Sequence, residues 1–242
     1  MNSYISFPAY SGLRCLMMPF IQGDPESIPE TYAAYAGVIS TMAIERGRVG
    51  YLTIDESMTT AGDPHRGARA KYGRALHTEA GRIPGPMWCW GTWGGNINVL
   101  LERDVKVMLA SNIDCTCAIW DCVHDDTSID GDIGDKAWLY PYAQARFLAA
   151  GEIGCIGILT PHESIPLEHS VPRQFIRIVS SGVHGREPYF TQNPLGLFSC
   201  ATCMGYMLAR DNHRRCQKCR AGGQYARPTK ANGRAKQYGS HR

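Results

Sequence analysis

The chain is 242 residues long, 44% hydrophobic and 19% charged, with no run near 18 uninterrupted apolar residues; this is the profile of a globular protein with a sizeable core and argues against a membrane-spanning helix. The formal charge of +3 conceals a split, because residues 200–242 hold ten Lys/Arg against Asp211 alone, leaving an acidic body of about −6 and a basic end of about +9. "MNSYISFPAY" lacks the basic start and apolar stretch of a signal peptide and no Asn-x-Ser/Thr acceptor is present, so the expectation is a soluble, unexported, cytoplasmic protein with reduced cysteines.

Along the chain, "SIPETYAAYAGVISTMAIERG" carries a capping-box pattern, Ser27 with Glu30, and Pro29 in the first turn. A helix is predicted there, with an apolar stripe of Tyr32, Tyr35, Ala36, Ile39, Met42 and Ala43 and a stop at Gly47. β-rich runs follow at 48–54, 97–110 and 115–122, then a helix over "PYAQARFLAAG" (141–151), then strands over "IGCIGILT" and "RQFIRIVS". Between 58 and 95 the pattern is poor and loop-like; there, Arg66, Arg69, Lys71 and Arg74 are candidate phosphate ligands, and Trp88, Trp90 and Trp93 either stack bases or pin a glycine-rich loop. Many short strands and few helices predict an α+β protein with a β-rich body, sandwich or barrel-like, over residues 1–197. A zinc ribbon is predicted over 198–220 and a disordered basic tail over 221–242.

The strongest local signal is "CATCMGYMLARDNHRRCQKC", which spaces Cys200, Cys203, Cys216 and Cys219 as C-x2-C-x12-C-x2-C. Two such turns can direct four thiolates at one tetrahedral Zn(2+), and the stretch resembles zinc ribbons and related zinc knuckles. Four thiolates close the shell, so this zinc is structural. Around it crowd Arg210, Arg214, Arg215, Lys218 and Arg220, followed by Arg227, Lys230, Arg234 and Lys236 with Tyr225 and Tyr238 interspersed. Phosphate backbones suit such a cluster, making nucleic acid the expected partner and an acidic protein surface the alternative, with no membrane. The remaining cysteines, Cys15, Cys89, Cys115, Cys117, Cys122 and Cys155, read as small buried hydrophobes.

"VHDDTSIDGDIGD" (123–135) concentrates five aspartates. Aligned as an EF-hand from Asp126 it has Gly131 at the sixth place but Ala137 at the twelfth, where the bidentate carboxylate belongs, so a loop closed by Asp-to-backbone hydrogen bonds is expected ahead of a calcium site. A second reading starts from His124-x-Asp126, whose side chains share one face of an extended chain, with His162 as a third ligand and Arg173 or Arg177 beyond it. This order is similar to that of the Fe(II)/2-oxoglutarate oxygenases, a resemblance that implies Fe(2+) and an arginine for the cosubstrate carboxylate. Only 38 residues separate His124 from His162, while His77-x-Glu79 gives a roomier interval without a clear strand before it. "GVHGREPYF" adds His184, Arg186 and Glu187 as an anion-binding or acid–base cluster. Phosphate-loop, nucleophile-elbow and H-E-x-x-H patterns are absent. The leading expectation is thus a zinc-ribbon protein whose basic tail engages nucleic acid, and the alternatives are an oxygenase of this type in the body or a docking module without chemistry.

Overall fold

The computed structural model describes residues 3–63, 73–79, 104–124, 131–180, 190–199 and 206–208. In chain order its strands are β1 (Arg14–Ile21), β2 (Val49–Met58), β3 (Leu76–His77), β4 (Lys106–Ser111), β5 (Cys117–Ile119), β6 (Arg146–Phe147), β7 (Gly154–Gly157), β8 (His162–Ser164), β9 (Pro172–Val179), β10 (Leu197–Ser199) and β11 (Tyr206–Leu208). Two antiparallel sheets result, one ordered β1-β2-β9-β4-β7 and the other β3-β8-β5-β6, with β10 and β11 as a separate pair. From β2 to β9 the chain passes back and forth between the two sheets, except that β5 and β6 follow one another in the smaller, which is the winding of a jelly roll. A β-rich α+β body is therefore present.

Alternation along each strand builds three apolar layers. Between the sheets lie Tyr51, Val107, Leu109 and Val179 from the larger one with Cys117 and Ile119 from the smaller. On the outer face of the larger sheet, Leu52, Ile54, Ala110, Ile176 and Ile178 pack against Tyr35, Val38, Ile39 and Met42. Beyond the smaller sheet, Leu76, Ala118 and Trp120 meet Ile133 and Tyr140. In β9 this alternation sends Phe175 and Val179 inward and Ile176 and Ile178 outward. A bulge in β1 between Cys15 and Met18 breaks the rule, with Met17 at φ 50, so that the adjacent Leu16 and Met17 both enter the layer between the sheets while Cys15 and Met18 enter the outer one.

Three expectations are corrected. The segment after Ser27 forms a 3-10 stretch (Glu30–Tyr35) and a short helix, α1 (Ala36–Met42), and Ser27 does not cap it. The Ser27 hydroxyl instead accepts from Ile21 N–H and donates to Asp24 C=O, tying the end of β1 to the turn. "PYAQARFLAAG" is not a helix but a 3-10 turn (Tyr142–Gln144) followed by β6, because residues of good helix propensity here pair with β5 instead. Of the cysteines read as buried, Cys15 and Cys117 are, whereas Cys115, Cys122 and Cys155 are exposed. Among the described residues no helix is long and apolar enough to cross a membrane.

Candidate metal centre

β3 and β8 are direct partners, His77 opposite His162, so the two imidazoles project from neighbouring strands on one face with ring centroids 4.0 Å apart. Leu76 and Glu163, the alternate residues, take the other face. Two positions beyond His77, Glu79 turns its carboxylate to the same point, with Oε1 3.4 Å from His162 Nε2. One ligand atom from each of His77, Glu79 and His162 falls within 4.8 Å of the others, and all three residues are buried.

The histidine tautomers follow from their backbone contacts. His77 Nδ1 lies 2.8 Å from Ala75 C=O and His162 Nδ1 lies 2.9 Å from Thr160 C=O. A carbonyl only accepts, so each Nδ1 is a donor, and each Nε2 is the ring nitrogen left to face a ligand. This is the arrangement that orients metal-ligating histidines.

These three residues line a cavity of about 300 Å³ together with Leu16, Thr53, Asp55, Leu109, Cys117, Ser164, Arg173, Phe175 and Arg177. Arg173, Phe175 and Arg177 are alternate residues of β9 and so share its inward face. Arg177 donates to Glu79 Oε1 at 3.0 Å. Arg173 is buried, its Nε is 3.3 Å from Ser111 Oγ, and its guanidinium lies 5.0 Å from the Phe175 ring centre. Burial pushes the Arg173 pKa down, yet no carboxylate among the described residues forms an ion pair with it. Burial likewise pushes the Cys117 thiol up to about 12, so at neutral pH it faces the cavity as an uncharged thiol.

Of the sequence-predicted candidates, His162 and Arg173 thus share one cavity. His124 is not among its lining residues, since its Nδ1 is hydrogen-bonded to the Tyr140 hydroxyl and its backbone N–H to Leu159 C=O. Asp126, His184, Arg186, the tryptophans Trp88, Trp90 and Trp93, the quartet Cys200, Cys203, Cys216 and Cys219, and every named cation from Arg210 to Lys236 lie outside the described residues. Asp132 is described and caps a turn, its Oδ1 accepting from Gly134 N–H at 2.9 Å. Arg74 is held by Glu163, by the carbonyls of Ala137 and Tyr140, and by the faces of Trp120 and Tyr142. Its guanidinium is thereby committed within the fold. His77 and Glu79 had no strand signal in the sequence, because β3 is only two residues long. The one available clue was their i, i+2 spacing.

No family model, curated protein or solved structure matches the chain.

Proposed function

We propose that the body is a non-haem Fe(II) oxygenase that uses 2-oxoglutarate or a closely similar 2-oxo dicarboxylate. Two imidazoles and one carboxylate on one side of a cavity are the donor set of a facial triad, which leaves positions free for a chelating cosubstrate and dioxygen. Glu79 stands where such triads usually carry the shorter aspartate, and its extra methylene lets the carboxylate reach Nε2 of His162 from beyond the end of β3. The observation that carries the reading is Arg173, a buried cation in the same cavity without an ion-pair partner among the described residues. A buried charge of this kind calls for a counter-ion, and a carboxylate matches the guanidinium fork. A zinc hydrolase could use the same three ligands, but its chemistry does not call for a carboxylate anchor across the cavity.

When bound, Fe(II) would supply dioxygen activation, with 2-oxoglutarate, dioxygen and a C–H substrate yielding succinate, carbon dioxide and an alcohol. The chain's own residues supply the rest: His77, Glu79 and His162 hold the ion, Thr160 and Ala75 orient the imidazoles, and Arg173 orients the distal carboxylate. For the C-terminal segment the proposal is a structural zinc on Cys200, Cys203, Cys216 and Cys219, with the surrounding arginines and lysines bringing a nucleic-acid substrate to the body.

The test is succinate formation from 2-oxoglutarate in the presence of Fe(II), dioxygen and ascorbate. Wild type is expected to form succinate and to bind one Fe(II) outside the cysteine quartet, and His77→Ala and His162→Ala should lose both. Arg173→Met should keep the metal but bind 2-oxoglutarate about 100-fold more weakly, the loss expected for one buried charge-assisted pair worth ~3 kcal/mol. Equal 2-oxoglutarate affinity in Arg173→Met would remove the cosubstrate assignment, and metal binding unaffected by both histidine variants would remove the centre.

A further inference from the structure

We infer that Asp55 is the residue by which the cavity selects its substrate, and that the group it takes is the exocyclic amine of a nucleobase. This rests on the oxygenase reading of the same cavity and on the nucleic-acid partner proposed with it. Asp55 of β2 lies opposite Phe175 of β9, and both line the cavity. The other charged residues of the wall are set deeper. Glu79 and His162 are 6% exposed at the side chain, Arg177 is 15% exposed and donates to Glu79, and Arg173 is buried. The Asp55 side chain is 36% exposed, which puts it at the solvent end of the wall, where a substrate enters.

The carboxylate has an acceptor to spare. Oδ1 of Asp55 is buried and accepts no hydrogen bond, although Arg14 Nε lies 3.0 Å from it as an ion pair. Arg14 is the one cation paired with Asp55 among the described residues, and at 70% exposure such a pair is weak and exchanges readily for another donor. A buried acceptor without a hydrogen bond calls for a partner, and an ionised carboxylate only accepts, so that partner must donate. A base turned out of its stack brings its polar edge into such a cavity. Cytosine and adenine carry an amine where uracil and hypoxanthine carry a carbonyl, whose lone pairs would face those of the carboxylate. Leu16 and Phe175 in the same wall give the flat ring an apolar surface.

The test compares binding of fluorescent single-stranded oligodeoxycytidine and oligodeoxyuridine to the full chain loaded with Mn(II) and 2-oxoglutarate, which holds the cavity filled without turnover. Both share a phosphate backbone, so their ratio isolates the base. Wild type is expected to bind the cytidine oligomer about tenfold more tightly, the gain of one hydrogen bond to a charged acceptor. In Asp55→Asn, whose amide both donates and accepts, the ratio should fall to about one. Arg14→Gln removes the competing cation and should widen the ratio about twofold, whereas a merely structural ion pair would change both oligomers alike; this variant also serves if Asp55→Asn does not fold. Equal binding of the two oligomers by wild type, or an undiminished ratio in a folded Asp55→Asn, would overturn the inference while leaving the oxygenase standing. Binding of neither oligomer would overturn it together with the nucleic-acid partner. Failure of wild type to form succinate would remove the oxygenase reading, an outcome read separately from the oligomer ratio.

Discussion

Glu56 lies on β2 next to Asp55 but points the other way, into the layer between the larger sheet and α1. Burial alone would raise its pKa. Hydrogen bonds from the Tyr35 hydroxyl and Gln174, and from the backbone N–H groups of Leu13 and Ser11, overcome that cost and hold it at about 2. A depressed carboxyl contributes stability that is fully present above its unfolded value, near 4.5, and is lost as the pH falls toward 2. The contribution is roughly 3 kcal/mol by this linkage. Thermal unfolding followed from pH 6 to pH 2 should therefore show a steep acid limb in wild type, whereas Glu56→Gln should start from a lower midpoint and respond less to acid. Two parallel curves would place the acid sensitivity elsewhere.

At the level of elements, β8 serves two faces within three residues. His162 and Ser164 face the cavity while Glu163, buried on the opposite face, takes the Arg74 guanidinium. Removing one member of such a pair leaves a buried charge uncompensated and costs about 3–5 kcal/mol. Arg74→Met should therefore lower stability in urea by about that amount and also weaken metal binding, although Arg74 does not line the cavity. Adding Glu163→Gln to it should restore much of the stability. Unchanged metal affinity in the single variant would show that β8 holds its place without the pair. How far such elements could be read from the sequence depended on their length. β2 and β9 are eight to ten residues rich in β-branched and apolar side chains, and both were legible. β1 was not, because Pro19 speaks against a strand; at the end of the sheet order, where β2 is the one described strand it pairs with, a proline is tolerated. β3 could not be read, since two residues have no period. The imidazole–carboxylate pair His77 and Glu79 was therefore visible only as a spacing, and its alignment with His162 required the pairing of strands 85 positions apart.

For the whole molecule, the iron centre proposed for the body and the zinc proposed for the basic end would have separate tasks. Cys216→Ser should release zinc while leaving Fe(II) bound and the acid unfolding of the body unchanged, as metal analysis and calorimetry of the full chain would show. Simultaneous loss of both metals would mean that the quartet supports the body. The facing of His77 and His162 has a consequence of another kind. Because neighbouring residues of a strand point to opposite sides, one residue inserted between Gly73 and Leu76 would exchange the places of Leu76 and His77. A leucine would then stand among the metal donors and an imidazole in the apolar cluster beside Trp120. In that stretch the site is written in the count of residues as much as in their identity, so a change of length there is as damaging as a change of His77 itself.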